Sequence, residues 1–204
     1  MGTVVEVCSY DYRVASSFSL QEMSSLPNGH EMLLYADQHL KFLGSGNRHV
    51  FSLNSSQVLK IADTRFGQQQ NETEAKISSD SKVKEIIAKA FNFDPQNYFW
   101  LVAEKVRPLN SADEWARKLG FKQLNISQFK QIAELQNGEA LANWVEKRKG
   151  LEAGVEFWED LNKAHSLLKA AHVLVTKHRV AEINIPGHWG ITSRGNLVVL
   201  DYGY

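Results

Sequence analysis

The sequence has few of the features that mark specialised classes of protein. Its 204 residues include one cysteine, Cys8, and four prolines. A single thiol forms neither an intrachain disulfide nor a cysteine-rich zinc site, and no apolar run approaches the roughly 20 residues of a membrane-spanning helix. The first residues lack the basic flank and small-residue cleavage site of a secretory signal. We therefore expect a globular protein of a reducing, cytoplasmic compartment, with no membrane contact.

An excess of charge of one sign is also absent. Lys and Arg together number 23, as do Asp and Glu, so the formal net charge is zero. Proteins that bind nucleic acid by neutralising phosphates normally carry a basic excess, so we expect no direct nucleic-acid binding. The hydrophobic fraction of 43% is sufficient for a buried core, most simply in one domain.

The first half of the chain contains strand and helix signals. Clustered apolar residues and turn signals predict strands from about residue 31 to 60, with a hairpin loop at 54–56. A change of period then predicts a helix or two over residues 68–90, broken near 78–81. Residues 98–103 are rich in aromatic and β-branched residues, which indicates a buried strand.

The second half is predicted to be mainly helical. Ser111 and Glu114 indicate a capped helix over residues 112–119, and apolar spacing predicts helices over 127–144 and 154–175. A hairpin signal closes the chain. This order of elements predicts an α+β fold in two lobes.

Two features near the N-terminal strands could bind an anion. Gly44-Ser45-Gly46 lies between two predicted strands, and the N–H groups of such a turn can approach phosphate oxygens with no Cβ in the way. An ordinary hairpin is the commoner meaning of this pattern. Lys60 is flanked by apolar strand residues, so it either points to solvent, the usual outcome, or meets a buried anion.

Two acidic residues complete the set. Glu74 lies near the start of a predicted helix, where the helix dipole favours an acid, and it is placed to pair with Lys60 on the preceding strand. A position on a solvated acidic face is more plausible for Glu72 than for Glu74. Asp201 ends an apolar strand before an aromatic residue and a glycine, which suits a metal-binding carboxylate as well as an ordinary strand exit.

Taken in order, these four features resemble the nucleotide site of protein kinases. FLGSGNRHVF and LVVLDYG are similar to segments of the short, divergent kinases encoded by bacteriophages. The resemblance covers about residues 38–204 and implies an antiparallel N-lobe sheet followed by a truncated, mostly helical C-lobe. It divides a single unit into an extension over residues 1–30, an N-lobe over 31–106 and a reduced C-lobe over 107–204.

The resemblance also implies ATP and Mg²⁺ as cofactors and gives each position a role. The turn of Gly44, Ser45 and Gly46 would cover the phosphates. Lys60 would contact the phosphates, with Glu74 as its partner on the helix. Asp201 would bind the metal. Adenine would bind the backbone of the hinge, Glu104-Lys105-Val106.

The catalytic loop departs from the family pattern, in which His-Arg-Asp-Leu is followed by an Asn five residues after the Asp. Here a His-Arg pair at residues 178–179 is followed by valine. Counting back five from His188, the Asn equivalent, reaches Ile183, whereas a one-residue insertion places Glu182 there as the catalytic base. His188 would be a neutral nitrogen ligand, which suits Mg²⁺ less well than an oxygen.

Two functional classes therefore stay open. The first is an ATP-dependent kinase, phage-encoded, that modifies Ser or Thr of host proteins through Lys60, Glu182 and Asp201. The second is a pseudokinase that binds a host or phage protein, with residues 110–154 as its contact surface. The sequence ends shortly after Asp201, without the activation segment of ordinary kinases, which favours the second class.

Overall fold

The computed structural model describes residues 17–135, 138–149 and 154–200. Within these ranges the helices are α1 (Leu20–Ser24), α2 (Gly29–His39), α3 (Arg65–Ser78), α4 (Ala112–Leu119), α5 (Ile126–Ala133), α6 (Gly138–Lys149), α7 (Val155–Lys163) and α8 (His165–Thr176). The strands are β1 (Lys41–Ser45), β2 (His49–Ser52), β3 (Gln57–Ile61), β4 (Ala90–Phe93), β5 (Trp100–Glu104), β6 (Val106–Pro108), β7 (Trp189–Thr192) and β8 (Leu197–Val199). None of the helices in the described ranges is long and apolar enough to cross a membrane.

The strands form two sheets in which all pairings are antiparallel. One sheet has the order β1-β2-β3-β5-β4 and the other the order β6-β7-β8. The chain passes from the first sheet to the second at Lys105, the single residue between β5 and β6. A bridge between Ile87 and Val199 ties the segment after α3 to β8. The expected α+β class, with an antiparallel sheet in the N-terminal half, is confirmed.

The five-stranded sheet has an apolar cluster on each face. Because successive side chains of a strand point to opposite faces, Leu59 and Ile61 of β3 pack with α2, while Val58 packs with Ala75 of α3. Lys60 shares its face with Val58. The alternation of β3 therefore directs the one charged side chain in its centre toward α3.

The three-stranded sheet shares a separate, larger apolar cluster with the C-terminal helices. At its centre the rings of Trp115, Phe129 and Trp189 meet edge to face, with centroids 5.2 to 6.0 Å apart. All three side chains are fully buried. Edge-to-face packing of this kind adds about 0.5–1.5 kcal/mol per pair to the burial itself, so these rings fix α4 and α5 against β7.

The predicted strand character of residues 31–39 is wrong, because these residues form most of α2. The Asn28 side chain accepts a hydrogen bond from the Glu31 N–H and so starts the helix. Met32 and Ala36, four residues apart, then face the sheet. Residues 17–30, assigned from the sequence to an extension, contribute the fully buried Met23 to the same cluster.

Three predicted helices are shorter than expected. The second part of the 68–90 prediction forms turns, since Asp80 caps only the Lys82 N–H and the chain then pairs with β8. The 127–144 prediction is divided into α5 and α6, and the 154–175 prediction is divided at Ala164 into α7 and α8. Helix α4 has the predicted bounds, because Ser111 caps its start and Gly120 ends it at φ 67°.

Candidate functional site

A buried ion pair joins β3 to α3. The Lys60 Nζ lies 2.7 Å from Oε1 and 2.8 Å from Oε2 of Glu74. Lys60 is 7% exposed and Glu74 is completely buried. The expected pairing of these two side chains is therefore present. A lysine bonded to both oxygens of a buried carboxylate is held in one orientation across the face of the sheet.

A second cation, which sequence reasoning missed, completes this cluster. Arg48 Nη1 donates to Glu74 Oε2 at 2.6 Å and to Asn71 Oδ1 at 3.2 Å. Arg48 follows a turn, where an arginine normally reaches solvent, yet it is 8% exposed. Gly67 explains the difference: a Cβ there would lie 2.3 Å from the Asn47 carbonyl oxygen and 3.3 Å from Arg48 Cγ. The glycine lets α3 approach the turn closely enough to cover the arginine.

The two cations decide the ionisation of Glu74. Burial, the largest influence, raises the pKa of this carboxyl, but the charges and hydrogen bonds of Lys60 and Arg48 together lower it below its ordinary value. Glu74 is therefore ionised at neutral pH. A buried, ionised pair of this kind persists only because its hydrogen bonds are satisfied from both sides.

The glycine turn lies in the same part of the sheet as Lys60. Gly44 pairs with Val50, and Val50 pairs with Lys60, so Gly44 and Lys60 are two strand spacings, about 10 Å, apart. A Cβ added at Gly44 or Gly46 would meet no described atom within 4 Å, and neither residue has a left-handed φ. Nothing in the described residues requires glycine at either position. The Gly46 N–H already donates to the Arg48 carbonyl at 3.1 Å, so phosphate binding by this turn stays a prediction.

The expected hinge is the crossing point between the two sheets. The N–H of Glu104 donates to the Lys89 carbonyl and that of Lys105 to the Ser56 carbonyl, each at 2.8 Å. Val106 pairs with Thr192 of β7. Two of the N–H groups expected to bind adenine are thus already engaged within the chain, and adenine binding by this segment stays a prediction.

The structure brings together two residues of the degenerate catalytic loop. Glu182 Oε2 lies 3.4 Å from His188 Nδ1, and the Glu182 side chain is 43% exposed. The His188 carbonyl accepts a hydrogen bond from the Leu200 N–H at 2.9 Å.

The expected metal ligand Asp201 lies outside the described residues. Within those residues no group of three or more His, Cys, Asp or Glu side chains could hold a metal ion, so the Mg²⁺ prediction depends on Asp201.

The comparisons with known proteins found similarity in solved structures and none in sequence. No model of a protein family matches the sequence, and no curated protein matches it. The crystal structure of the choline kinase LicA from Streptococcus pneumoniae is similar over 81% of this chain and 63% of that one, with 14% identity and a TM-score of 0.36. The aligned region thus spans less than two thirds of that enzyme. A likeness at this level identifies neither a family nor an activity.

Proposed function

We propose that this chain is an ATP- and Mg²⁺-dependent phosphotransferase with a two-lobed, protein kinase-like fold. The observation that carries the proposal is the buried Lys60–Glu74 pair, which lies two strands from the open turn at Gly44. An ordinary hairpin is a sufficient account of the turn by itself, and exposure to solvent is a sufficient account of a strand lysine by itself. Neither explains a strand lysine fixed by a buried helix carboxylate beside that turn.

The cluster suits phosphate binding because its orientation is set before a ligand arrives. Glu74 holds Lys60 in place, and Arg48 holds Glu74, so little rearrangement is needed when a phosphate approaches. In phosphoryl transfer most of the protein's contribution is positioning and charge stabilisation. The preset orientation and the charge of this cluster support the proposal for the phosphate end of a nucleotide.

The transfer step depends on the second group of residues. Mg²⁺, held by Asp201, would neutralise charge on the phosphates, and Glu182 would accept the proton of the acceptor hydroxyl. His188 lies beside Glu182 and would orient it or contribute to the metal site. A Ser or Thr hydroxyl of a host protein, and a phage origin for the chain, stay predictions of the sequence resemblance.

A pseudokinase is the second candidate, and one observation favours it. Glu182 is half-exposed and makes a contact of 3.4 Å with His188, whereas Glu74 is completely buried with bonds of 2.6 to 2.8 Å. Catalysis is sensitive to sub-ångström placement of the reacting groups. A loosely held acid is compatible with nucleotide binding that is not followed by transfer.

Calorimetric titration of ATP, with and without Mg²⁺, tests the proposal. Lys60→Met removes the charge and keeps the length of the side chain, while Glu74 retains Arg48 as a partner. We expect ATP affinity to fall at least about tenfold in this variant and to be unchanged in Lys41→Met, an exposed lysine of β1.

Absence of ATP binding to the wild-type protein at millimolar concentration would overturn the nucleotide site. Where binding is found, Glu182→Gln separates the two classes. An enzyme that uses this acid as its base loses phosphoryl transfer and retains ATP binding. A pseudokinase shows no transfer in either form.

A further inference from the structure

A broad groove lies outside the candidate nucleotide site. Its volume is about 1080 Å³, and it is lined by the segment after α3, the β7–β8 turn and the ends of α4, α7 and α8. Neither the glycine turn nor the Lys60–Glu74 pair contributes to it. Of the residues expected to bind nucleotide, Glu104 is the one that lines the groove.

The charge of this groove differs from that of the whole chain. Two carboxylates line it, Glu85 and Glu104, against six cationic side chains: Lys82, Lys84, Lys89, Lys118, Lys163 and Arg194. The lining therefore has a formal excess of four positive charges, in a protein whose net charge is zero. Charge of one sign gathered in a concave surface focuses the field and attracts an oppositely charged partner.

Among the described residues, five of these six cations have no carboxylate counterion. Lys163 Nζ lies 3.9 Å from Asp160 Oδ1 and donates to the Gly120 carbonyl. Lys89 Nζ lies 5.2 Å from the centre of the Phe91 ring. Within the described part of the chain, the other four side chains make no ion pair or hydrogen bond: Lys82, Lys84, Lys118 and Arg194. All four are exposed. An anionic partner would relieve the mutual repulsion of these groups.

Apolar side chains line the groove together with these cations. Ile87 and Leu197 are nearly buried there, Leu119 and Leu167 are half-buried, and Phe91 is 46% exposed. A simple phosphate or sulfate ion would contact the cations and none of these apolar side chains. A chain that carries carboxylates between apolar side chains would use both.

We propose that the groove binds an acidic segment of a partner protein, in which Asp or Glu residues alternate with apolar residues. Nucleic acid fits less well. Specific DNA interfaces bury about 1,000–2,500 Å² of protein surface, whereas this groove is close to the upper size of a small-ligand pocket. Binding of single strands relies on several aromatic stacking platforms, and in this lining Phe91 is exposed but Phe121 is 8% exposed.

Fluorescence anisotropy with a labelled peptide that alternates Glu with Leu and Phe tests this proposal. The variant Lys84→Glu/Arg194→Glu reverses two groove charges. Lys41→Glu/Lys147→Glu makes the same change in net charge at exposed positions outside the lining. We expect the affinity for the peptide to fall about tenfold or more in the groove variant and to be unchanged in the matched variant. Circular dichroism melting verifies that both variants are folded.

Three results would overturn the proposal: no saturable binding to the wild-type protein, an equal loss in both variants, or displacement of the peptide by a single-stranded oligonucleotide that binds more tightly at equal charge. A peptide with Lys in place of Glu should not bind.

The proposal does not depend on the nucleotide site, because the groove variant retains Lys60 and Glu74. Its ATP affinity should match that of the wild type, so failure of one proposal is distinguishable from failure of the other.

Discussion

The two halves of the molecule each contain a fully buried carboxylate, and the two are held by different partners. Glu74, beside the five-stranded sheet, is bound by the side-chain cations of Lys60 and Arg48. Asp160, among the C-terminal helices, accepts hydrogen bonds from the backbone N–H groups of residues 122–124 at 2.7 to 3.0 Å. Backbone donors fix the path of a loop, whereas side-chain cations can also contact a ligand. The difference separates a structural carboxylate from a candidate functional one.

Both carboxylates stay ionised, by different means. Burial raises the pKa of each, and this is the largest single influence at both sites. At Glu74 the two cations outweigh burial, and at Asp160 the backbone hydrogen bonds do, assisted by Lys163. Both pKa values therefore lie below their ordinary values. Variants of Glu74 and Asp160 test whether side-chain partners and backbone partners contribute differently to stability and to ATP affinity.

The largest effect is expected for Glu74→Ala, which leaves two cations buried without their carboxylate. We expect the free energy of unfolding to fall by about 3–5 kcal/mol, measured by urea denaturation. Glu72→Ala is the matched control, because Glu72 is partly exposed on the same helix and pairs with Lys76. The free energy of unfolding should fall by less than about 0.5 kcal/mol in Glu72→Ala. Equal, small losses in both variants would contradict the role given to the cluster.

A smaller effect is expected for Asp160→Asn. The amide keeps the shape of the side chain but weakens its bonds to the N–H groups of residues 122–124, so the free energy of unfolding should fall by about 1.5–3 kcal/mol. ATP affinity should not change, because Asp160 belongs to the other half of the molecule. Glu159→Gln, at the exposed neighbouring position, should change neither quantity. A loss of ATP affinity in Asp160→Asn would remove the distinction between the two carboxylates.

The smallest effect is the dependence of stability on pH. Because the pKa values of both carboxyls are lowered in the folded protein, the unfolded chain takes up protons first as pH falls below the ordinary values of 4.5 and 3.8. Stability is therefore complete above those values and lost on acidification toward the folded pKa. Urea denaturation between pH 6 and pH 3 measures the slope. Glu74→Gln and Asp160→Asn should each reduce it, and an unchanged slope in both variants would show that neither group is responsible.

Local signals in the sequence predicted several elements of the fold correctly. The β2–β3 and β7–β8 hairpins and helix α4 follow from turn residues and from Ser111 as an N-cap. Helix α2 was missed because Leu33, Leu34 and Tyr35 form a run that also suits a strand, and only the Asn28 cap distinguishes the two. The segment around Ile86 and Ile87 has helical spacing, yet it extends to β8, a partner more than a hundred residues away.

The residues of the candidate site were predicted only where the neighbouring sequence alone makes a residue unusual. Lys60 and Glu74 stand out because a charge within an apolar strand either points to solvent or meets an opposite charge, and Glu74 is the acid placed on the next element. Arg48 could not be recognised, since its burial depends on how closely Gly67 lets α3 approach the turn. Asp160 was also missed, because its three partners are backbone groups, which leave no mark on side-chain patterns.

The close contact between Gly67 and Asn47 has a further consequence. With α3 packed against the Asn47 carbonyl, and Arg48 bonded to Glu74 and Asn71, the residues directly after the glycine turn are tied to the helix. If the turn moves onto a ligand, these contacts predict that the helix moves with it. With the proposed nucleotide site, ligand occupancy and helix position would be linked equilibria, so whatever shifts one would shift the other by the same free energy.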